Sequence, residues 1–348
     1  MHNFLANLAI LLFPIANTVP AQIPHPLHSI SLDYPLSATR EKPSCPNTNI
    51  YYHLFTPHSL PLPACLLTVE GWERLATIFP DQAVTATISG ICRFGARIGY
   101  EGVGQSPTIY PNLSTAEADT NLLTSDIPTQ LGKNHLMVYD NNDQLPKFFT
   151  ASLLGLIDKA DGSKRRIHYL SYLTSNSSSI NEGIQENYGT ITYNGICDTI
   201  QAIQAMGRDC LPVKRDIKSV FGHISVSPVD SPLLEFHWED TYYAESFLPF
   251  GLHTTPNLFN LFAEVFHWIL EEELKKQGLR GSVIQYLDDF LMILSPHSIF
   301  TKYTTIFATL WRMVGLCFKE SKNEEGRVAS FAGIEFDMHQ LVIRLPAK

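Results

Sequence analysis

The sequence predicts an α+β fold, in which helices and antiparallel strands follow one another in mixed order. Some segments carry apolar residues at helical spacing, whereas others are short apolar runs bounded by turn residues. Asp161-Gly162, a typical hairpin turn, lies between two strand-like segments. With 348 residues, of which 45% are hydrophobic, the chain is long enough to bury a substantial core.

Residues 1–66 form a proline-rich segment that we expect to be largely irregular. This segment contains ten of the 22 prolines and shows little periodicity. Residues 1–21 have some features of a signal peptide, because residues 4–15 are almost wholly apolar. The apolar stretch is too short to span a bilayer, and the first basic residue is Arg40. We therefore expect an intracellular protein, in the cytoplasm or nucleus, with secretion as the alternative.

Residues 67–150 are expected to form a helical N-terminal extension. Asp81 is a candidate N-cap, and the apolar residues that follow it recur at helical spacing up to Ile91. A second helix is predicted to begin near Pro111 and to continue to about residue 130.

Residues 151–348 contain most of the predicted strands. Residues 153–166 read as strand, turn and strand, residues 194–206 as a helix, and a further strand ends at Asp216. Pro256 suits the first turn of a long helix, whose apolar face extends to Leu270. Another helix is predicted over residues 303–315. Two closing strands are predicted over residues 331–336 and 341–345.

Asp288 and Asp289 are the most informative pair of residues in the chain. They follow the strand-like residues 283–286 and precede the apolar residues 290–294. Carboxylates inside an apolar stretch are costly unless a cation accompanies them. We interpret Leu287, Asp288 and Asp289 as the tight connection of a hairpin that presents two acids to a divalent metal ion. An ordinary Asp-rich turn is the alternative.

Two further blocks precede this hairpin. Asp216 ends an apolar-leaning segment, and residues 248–256 form a loop that leads into the long helix. The alternative for Asp216 is helix capping or a surface ion pair with Lys214 or Lys218. In order, spacing and flanking apolar pattern, the three blocks resemble the palm of the reverse transcriptases of retrotransposons.

This resemblance extends over roughly residues 67–348. It implies a right-hand polymerase fold with fingers and palm and with a thumb that is absent or truncated. Residues 72–102 and 188–193 are also similar to fungal-type elements, of the LTR class or the class with tyrosine recombinases. The implied activity is RNA-directed DNA polymerisation on a primed RNA or DNA template with deoxynucleoside triphosphates.

The resemblance also implies two-metal nucleotidyl transfer. Two Mg²⁺ ions, for which Mn²⁺ is a possible substitute, would activate the primer hydroxyl and stabilise charge on the phosphate. Asp216 and Asp288 would bridge the metal ions, and Asp289 would be a supporting ligand. Lys322 matches a lysine proposed to donate a proton to pyrophosphate, with an ordinary surface lysine as the alternative.

The remaining implied site residues contact the nucleotide. Arg165, with Arg166 as the alternative one position away, would hold the triphosphate together with Lys159. Phe221 would lie beneath the sugar and exclude a 2′-hydroxyl, although it could equally be a core residue. The other residues assigned to this nucleotide site are Phe250, Gly251 and Tyr286. Residues 331–336 resemble the primer grip.

Two places depart from the family pattern. In the loop before the long helix, His253, Thr254 and Thr255 stand where the family usually has small residues. The family usually has an acid two residues beyond Ile167, whereas this chain has Tyr169.

Charge and length supply the main alternative function. The net charge of −9 argues against a generally basic nucleic-acid-binding surface, although Lys159, Lys164, Arg165 and Arg166 are locally concentrated. The chain also ends shortly after the primer-grip segment. The alternative is therefore a truncated or co-opted fragment that at most binds nucleic acid. Thumb, RNase H, integrase or recombinase modules would then come from another chain.

The six cysteines are scattered and show neither a zinc-binding spacing nor a disulfide framework.

Overall fold

The computed structural model describes most of the chain from residue 67 onward. The described residues are 30–31, 62, 67–102, 107–139, 145–159, 162–172, 178–188, 191, 193 and 195–346. The predicted signal-peptide-like leader lies outside these residues, as does nearly all of the proline-rich segment. Within the described residues, no helix is both long enough and apolar enough to cross a membrane. The described cysteines, Cys92, Cys197, Cys210 and Cys317, are free thiols.

The described α-helices mostly follow the predicted apolar periodicity. They are α1 Val69–Ala76, α2 Gln82–Phe94, α3 Ser114–Glu117, α4 Thr120–Gly132, α5 Ile196–Met206, α6 Thr255–Lys276 and α7 Phe300–Val314.

The described strands are mostly short. They are β1 Ile30–Ser31, β2 Thr108–Ile109, β3 Leu136–Tyr139, β4 Thr150–Asp158, β5 Lys164–Tyr169, β6 Leu211–Asp216, β7 Glu235–Trp238, β8 Thr241–Glu245, β9 Gly281–Tyr286, β10 Asp289–Leu294, β11 Glu324–Glu325, β12 Val328–Phe331, β13 Ile334–Asp337 and β14 Val342–Arg344.

The mixed α+β prediction is confirmed, with three local corrections. The strand predicted over residues 331–336 was wrong, because this segment holds the turn between β12 and β13, where Phe331 pairs with Ile334. Asp81 caps α2 as predicted, because its side chain accepts hydrogen bonds from the amides of Ala83 and Val84. The single helix predicted between residues 111 and 130 was wrong: it is divided into α3 and α4, because Asp119 leaves the helical region at φ −137° and ψ 60°. The connection between β9 and β10 is Leu287 and Asp288 alone, and Asp289 already belongs to β10.

The described strands form three sheets. The first has the order β11-β6-β10-β9, and its central pairs are antiparallel. The second has the order β2-β4-β7-β8-β3, with β5 paired to β4 as an antiparallel hairpin. The third has the order β1-β14-β13-β12, so Ile30 and Ser31 pair with Ile343 and Val342.

The first sheet is covered on both faces, which explains why β10 is apolar at every position after Asp289. Successive side chains of a strand point to opposite faces. Phe290 and Met292 join a core formed with α1, α2, α6 and α7, in which Phe266 packs edge-to-face on both Phe290 and Trp311. Leu291 and Ile293 point to the opposite face and join a second core, formed with α5 and the third sheet. This double burial fixes the acid-bearing hairpin in the interior of the fold.

A third core lies between α3, α4 and the second sheet. It contains Leu123 and Ile127 from α4, together with Leu154 and Phe236 from the sheet. This core holds the β4–β5 hairpin, which carries the basic residues identified in the sequence.

Candidate active site

An open cleft of about 500 Å³ lies between the first sheet and the β4–β5 hairpin. Seven of the predicted site residues line it: Lys159, Arg165, Asp216, Phe221, Phe250, Asp288 and Lys322. Asp289, Gly251 and Tyr286 are not among the lining residues. The cleft therefore brings together residues from segments that are up to 163 positions apart in the sequence.

Strand pairing fixes the three aspartates relative to one another. Asp216 ends β6 and is the cross-strand partner of Asp289 on β10. The Asp288 carbonyl accepts a hydrogen bond from the amide of Ile217 at 3.0 Å, so the hairpin tip is tied to the end of β6. Asp216 and Asp288 face the cleft, whereas Asp289 lies beside them in the sheet.

Lysine side chains partly neutralise these acids. The Lys322 Nζ lies 2.6 Å from the Asp216 carboxylate, and the Lys214 Nζ lies 3.6 Å from that of Asp289. The alternative for Asp216, an ion pair with Lys214 or Lys218, named the wrong partner, because the ion pair is with Lys322. The hydrogen bond to Asp216 raises the pKa of Lys322, which keeps this lysine protonated.

Burial raises the pKa values of both acids of the hairpin. For Asp289 burial raises the pKa to about 6, opposed by Lys214 and reinforced by the charges of Asp288 and Asp216. For Asp288 burial is again the largest cause, and the charge of Asp216 adds to it. Acids that repel one another in this way favour a multivalent cation between them.

The three carboxylates supply oxygen ligands of the kind that Mg²⁺ prefers. Within the described residues, however, no three His, Cys, Asp or Glu side chains lie close enough together to form a ready metal-binding group. The donor chemistry fits a divalent ion. Lys322 donates to the Oδ2 atom of Asp216, so a metal ion would compete with this lysine for that oxygen.

The hairpin turn is held by polar residues that the sequence did not single out. Leu287 adopts φ +52°, a left-handed conformation that is uncommon for a residue with a side chain. The Gln285 side chain donates to the Leu287 carbonyl at 2.9 Å and to the Asn260 side chain at 3.1 Å. Gln285 and Asn260 are buried, so α6 fixes the turn that presents Asp288.

Arg165 and Arg166 both line the cleft, but their surroundings differ. The Arg165 guanidinium lies 4.1 Å from the centre of the Phe250 ring, and no ion pair to it occurs among the described residues. The Arg166 side chain is only 14% exposed, with its guanidinium 2.6 Å from Glu245 and 3.2 Å from Asp126. These two acids already neutralise Arg166, and this difference favours Arg165 as the arginine that would bind an anion.

Phe221 and Gly251 have defined structural positions. The Phe221 ring packs on Phe250 at 4.8 Å and on Phe259 at 6.4 Å, so it is part of the core and of the cleft wall at once. Gly251 has φ +112° and packs against the backbone of His168. A side chain at this position would collide with that backbone, so glycine is required for the loop to approach β5.

Tyr286 lies on the outer side of the hairpin. Its ring is 38% exposed, and its centre is 4.7 Å from that of Tyr193 and 6.4 Å from that of Phe331. Phe331 belongs to the segment that resembles the primer grip. Tyr286 thus connects the acid-bearing hairpin to the third sheet rather than to the cleft.

Several cleft-lining residues were not found from the sequence. They are mostly polar side chains from α4 and from the segments that flank Asp216, and they include Gln130, Lys133, His135, Lys218 and Lys319. Isolated lysines and a single histidine give no motif, and only the three-dimensional packing places them beside the acids.

The comparison with protein families identifies one family. Residues 157–336 match the reverse transcriptase (RNA-dependent DNA polymerase) family, and this region is more than half of the chain. The chain belongs to this family. The matched region contains β5, the whole first sheet and α6, and therefore most residues of the cleft.

Solved structures give the same fold. The foamy viral protease–reverse transcriptase in complex with double-stranded DNA, in its dRH form, matches at 15% identity and a TM-score of 0.50, covering 82% of this chain and 48% of that one. A second structure of the foamy viral enzyme with double-stranded DNA matches at 14% identity and a TM-score of 0.51, covering 83% and 58%. The chain thus spans about half the length of these proteins. No match was found among curated proteins.

Proposed function

We propose that this chain is an RNA-directed DNA polymerase of retrotransposon origin that works by two-metal nucleotidyl transfer. The observation that carries the proposal is the convergence of Asp216 and Asp288 in one cleft with Arg165 and Lys159. Carboxylates on one side and cations on the other suit a nucleoside triphosphate with its metal ions. Membership of the reverse transcriptase family supports this assignment.

Asp216 and Asp288 would hold the metal ions, with Asp289 in support. When bound, Mg²⁺ or Mn²⁺ supplies Lewis-acid stabilisation of the phosphoryl oxygens and lowers the pKa of the primer hydroxyl. The β6–β10 pairing and the Ile217–Asp288 hydrogen bond hold Asp216 and Asp288 in fixed positions. These two acids would therefore determine where the metal ions bind.

The basic residues would act on the phosphates. Arg165 has its guanidinium over Phe250 and open to the cleft, where it can make paired hydrogen bonds to phosphate oxygens. Lys322 is protonated beside Asp216, and its release on metal binding would leave an ammonium group next to the departing pyrophosphate. Lys322 is then placed to donate a proton to this leaving group.

The Phe221 ring would select the sugar. It forms the cleft wall between Asp216 and Phe250, and it is supported from behind by Phe259. A rigid ring beneath the sugar would exclude a 2′-hydroxyl, so deoxynucleotides would be preferred over ribonucleotides.

A non-catalytic fragment is the second candidate function. The Asp216–Lys322 pair at 2.6 Å favours it, because an acid that is already neutralised by lysine has less need of a metal ion. The net charge of −9 also favours a non-catalytic fragment, because negative charge weakens binding to the phosphate backbone of nucleic acids.

Primer extension separates the two candidates. The purified chain is incubated with poly(rA)/oligo(dT), dTTP and Mg²⁺ or Mn²⁺, beside a variant with Asp288→Asn and Asp289→Asn. Metal-dependent extension by the wild-type chain alone supports the polymerase. A folded wild-type chain that binds primer–template without extending it would instead support the non-catalytic fragment.

A further inference from the structure

A second pocket, of about 440 Å³, lies between α7 and the end of β6. One wall of this back pocket is a face of α7, which contributes Thr304, Ala308 and Arg312 at successive helical turns. The opposite wall is formed by Arg215 of β6 and by part of the turn over residues 318–323. The volume falls within the range of about 300–1,000 Å³ that is usual for sites that bind small molecules.

The apolar floor of the back pocket is a stack of aromatic rings. The Phe318 ring is nearly parallel to the Trp311 ring, at 4.5 Å between centres and 10°, and to the Phe307 ring, at 5.3 Å and 18°. Trp311 and Phe307 are buried, whereas Phe318 is only half-buried and lines the pocket. Phe318 is therefore the outermost ring, and a planar aromatic ligand could extend the stack.

Two arginines supply positive charge to the back pocket. The Arg215 side chain is 8% exposed, and its guanidinium donates to the Lys214 carbonyl at 2.7 Å and to the Glu325 carboxylate at 2.5 Å. Arg312 is exposed and forms no ion pair with a residue that the structure describes. Glu320 also lines the pocket, but it is exposed to solvent. Arg312 can therefore make charge-assisted hydrogen bonds to an anionic group in the pocket.

The back pocket shares two segments with the cleft that contains the acids. Arg215 lines the back pocket and its neighbour Asp216 lines the cleft, because successive residues of a strand point to opposite faces. The turn over residues 318–323 contributes to the back pocket, whereas its Lys319 and Lys322 line the cleft. The Lys319 amide donates to the Asp216 carbonyl at 2.9 Å. A ligand in the back pocket would therefore contact the turn that holds Lys322 beside Asp216.

We propose that the back pocket binds a small planar aromatic anion, and that this ligand stabilises the turn that places Lys322 on Asp216. The aromatic ring would stack on Phe318, and the anionic group would meet Arg312. A neutral ring would leave Arg312 without a partner, and an inorganic anion would leave the Phe318 ring uncovered. Stabilisation of the turn couples the two sites, and such coupling is reciprocal. The inference goes beyond the proposed function and does not depend on it.

A fluorescence titration of the full chain tests the inference. The probe is anilinonaphthalene sulfonate, an aromatic anion whose emission rises when it moves from water into an apolar site. Two competitors then test the need for charge: naphthoate, and naphthylmethanol, which has the same ring system without the negative charge. We expect naphthoate to displace the probe and naphthylmethanol to displace it much more weakly.

Variants locate the probe in the back pocket. Arg312→Ala should weaken probe binding about fivefold or more, because the charged partner is lost. Ala308→Trp should abolish binding, because the larger side chain fills the pocket. Lys302→Ala and Thr309→Trp are the matched controls, since both residues are exposed on α7 and do not line the pocket. Lys322→Ala should also weaken binding, by about fivefold, although Lys322 is not a lining residue of the back pocket.

Each result decides one part of the inference, and a thermal melt of every variant verifies folding. Probe affinity that is unchanged in both Ala308→Trp and Arg312→Ala overturns the binding site. Equal displacement by naphthoate and naphthylmethanol overturns the requirement for an anion. Unchanged affinity in Lys322→Ala overturns the coupling to the turn. These titrations contain neither nucleotide nor primer, so their outcome is independent of whether the chain extends primers.

Discussion

Gly251→Ala tests whether the nucleotide loop must lie directly against β5. The amide of His168 donates to the Phe250 carbonyl at 3.0 Å, so the loop and the strand are in backbone contact here. A Cβ atom at position 251 would lie 3.0 Å from the carbonyl carbon of His168 and closer still to its oxygen. The obstacle is backbone, so it cannot rotate away as a side chain would.

The expected cost has two parts. A residue with a Cβ at φ +112° adopts a conformation that is almost restricted to glycine, which costs about 1–3 kcal/mol. Relief of the overlap requires a shift of packed backbone, which costs about another 1–3 kcal/mol. The free energy of unfolding should therefore fall by about 2–6 kcal/mol, a large share of a typical total of about 5–15 kcal/mol.

Gly278→Ala is the matched control. Gly278 also has positive φ, at +68°, but nothing lies within 4 Å of a Cβ added there. Gly278→Ala should therefore cost about 1–2 kcal/mol for the backbone conformation alone, with no steric overlap of the added Cβ atom. Urea unfolding of both variants, followed by tryptophan fluorescence, compares them. The reasoning is refuted if Gly251→Ala destabilises the chain no more than Gly278→Ala does.

Three further predictions concern single side chains. Phe221→Val should allow ribonucleotide incorporation in primer extension, whereas Phe259→Val, in the core behind it, should leave sugar selection unchanged. Lys322→Ala should lower the extension rate by about a hundredfold or more, the usual contribution of a proton donor, whereas Lys319→Ala should have little effect. Glu235→Gln should flatten the pH dependence of stability, because burial raises the pKa of Glu235 from 4.5 to about 7.

The sign of the Glu235 effect follows from proton linkage. Between pH 4.5 and 7 the folded chain keeps the Glu235 proton and the unfolded chain has lost it, so the unfolding free energy falls as pH rises through this range. Urea midpoints measured from pH 4.5 to 8 test this, and an unchanged slope in Glu235→Gln would contradict it.

The predictions for Phe221 and Lys322 can each be contradicted by one result. A Phe221→Val chain that still rejects ribonucleotides would show that the ring is only a core residue. Equal rates for Lys322→Ala and Lys319→Ala would show that the Asp216–Lys322 pair has no part in the chemistry.

The elements around Asp216 and Asp288 were largely predictable from the sequence. Short apolar strands that end at acids have a strong local signal, and the β9–β10 hairpin and α6 lie close to their expected positions. The helix after Pro111 was predicted as one element, because its break depends on the backbone of Asp119 and not on a proline or glycine.

The contacts that hold the site could not be predicted. Gln285 and Asn260 are ordinary polar residues in sequence, and only the packing of α6 on β9 brings them together. Arg165 and Arg166 are neighbours in sequence, and only the folded chain shows that Arg166 pairs with the buried Glu245, which lies 79 residues away. The domain boundaries at residues 66 and 150 remain predictions.

Primer extension by Asp216→Asn tests the central claim most directly, because Asp216 comes from a different segment than the acid hairpin. Asp209→Asn is the control, since Asp209 lies just before the same strand, has a side chain that is 37% exposed and does not line the cleft. Loss of one metal ligand removes several kcal/mol of transition-state stabilisation, or about a thousandfold in rate. We predict this loss for Asp216→Asn and wild-type rates for Asp209→Asn. Undiminished extension by a folded Asp216→Asn chain would contradict the assignment.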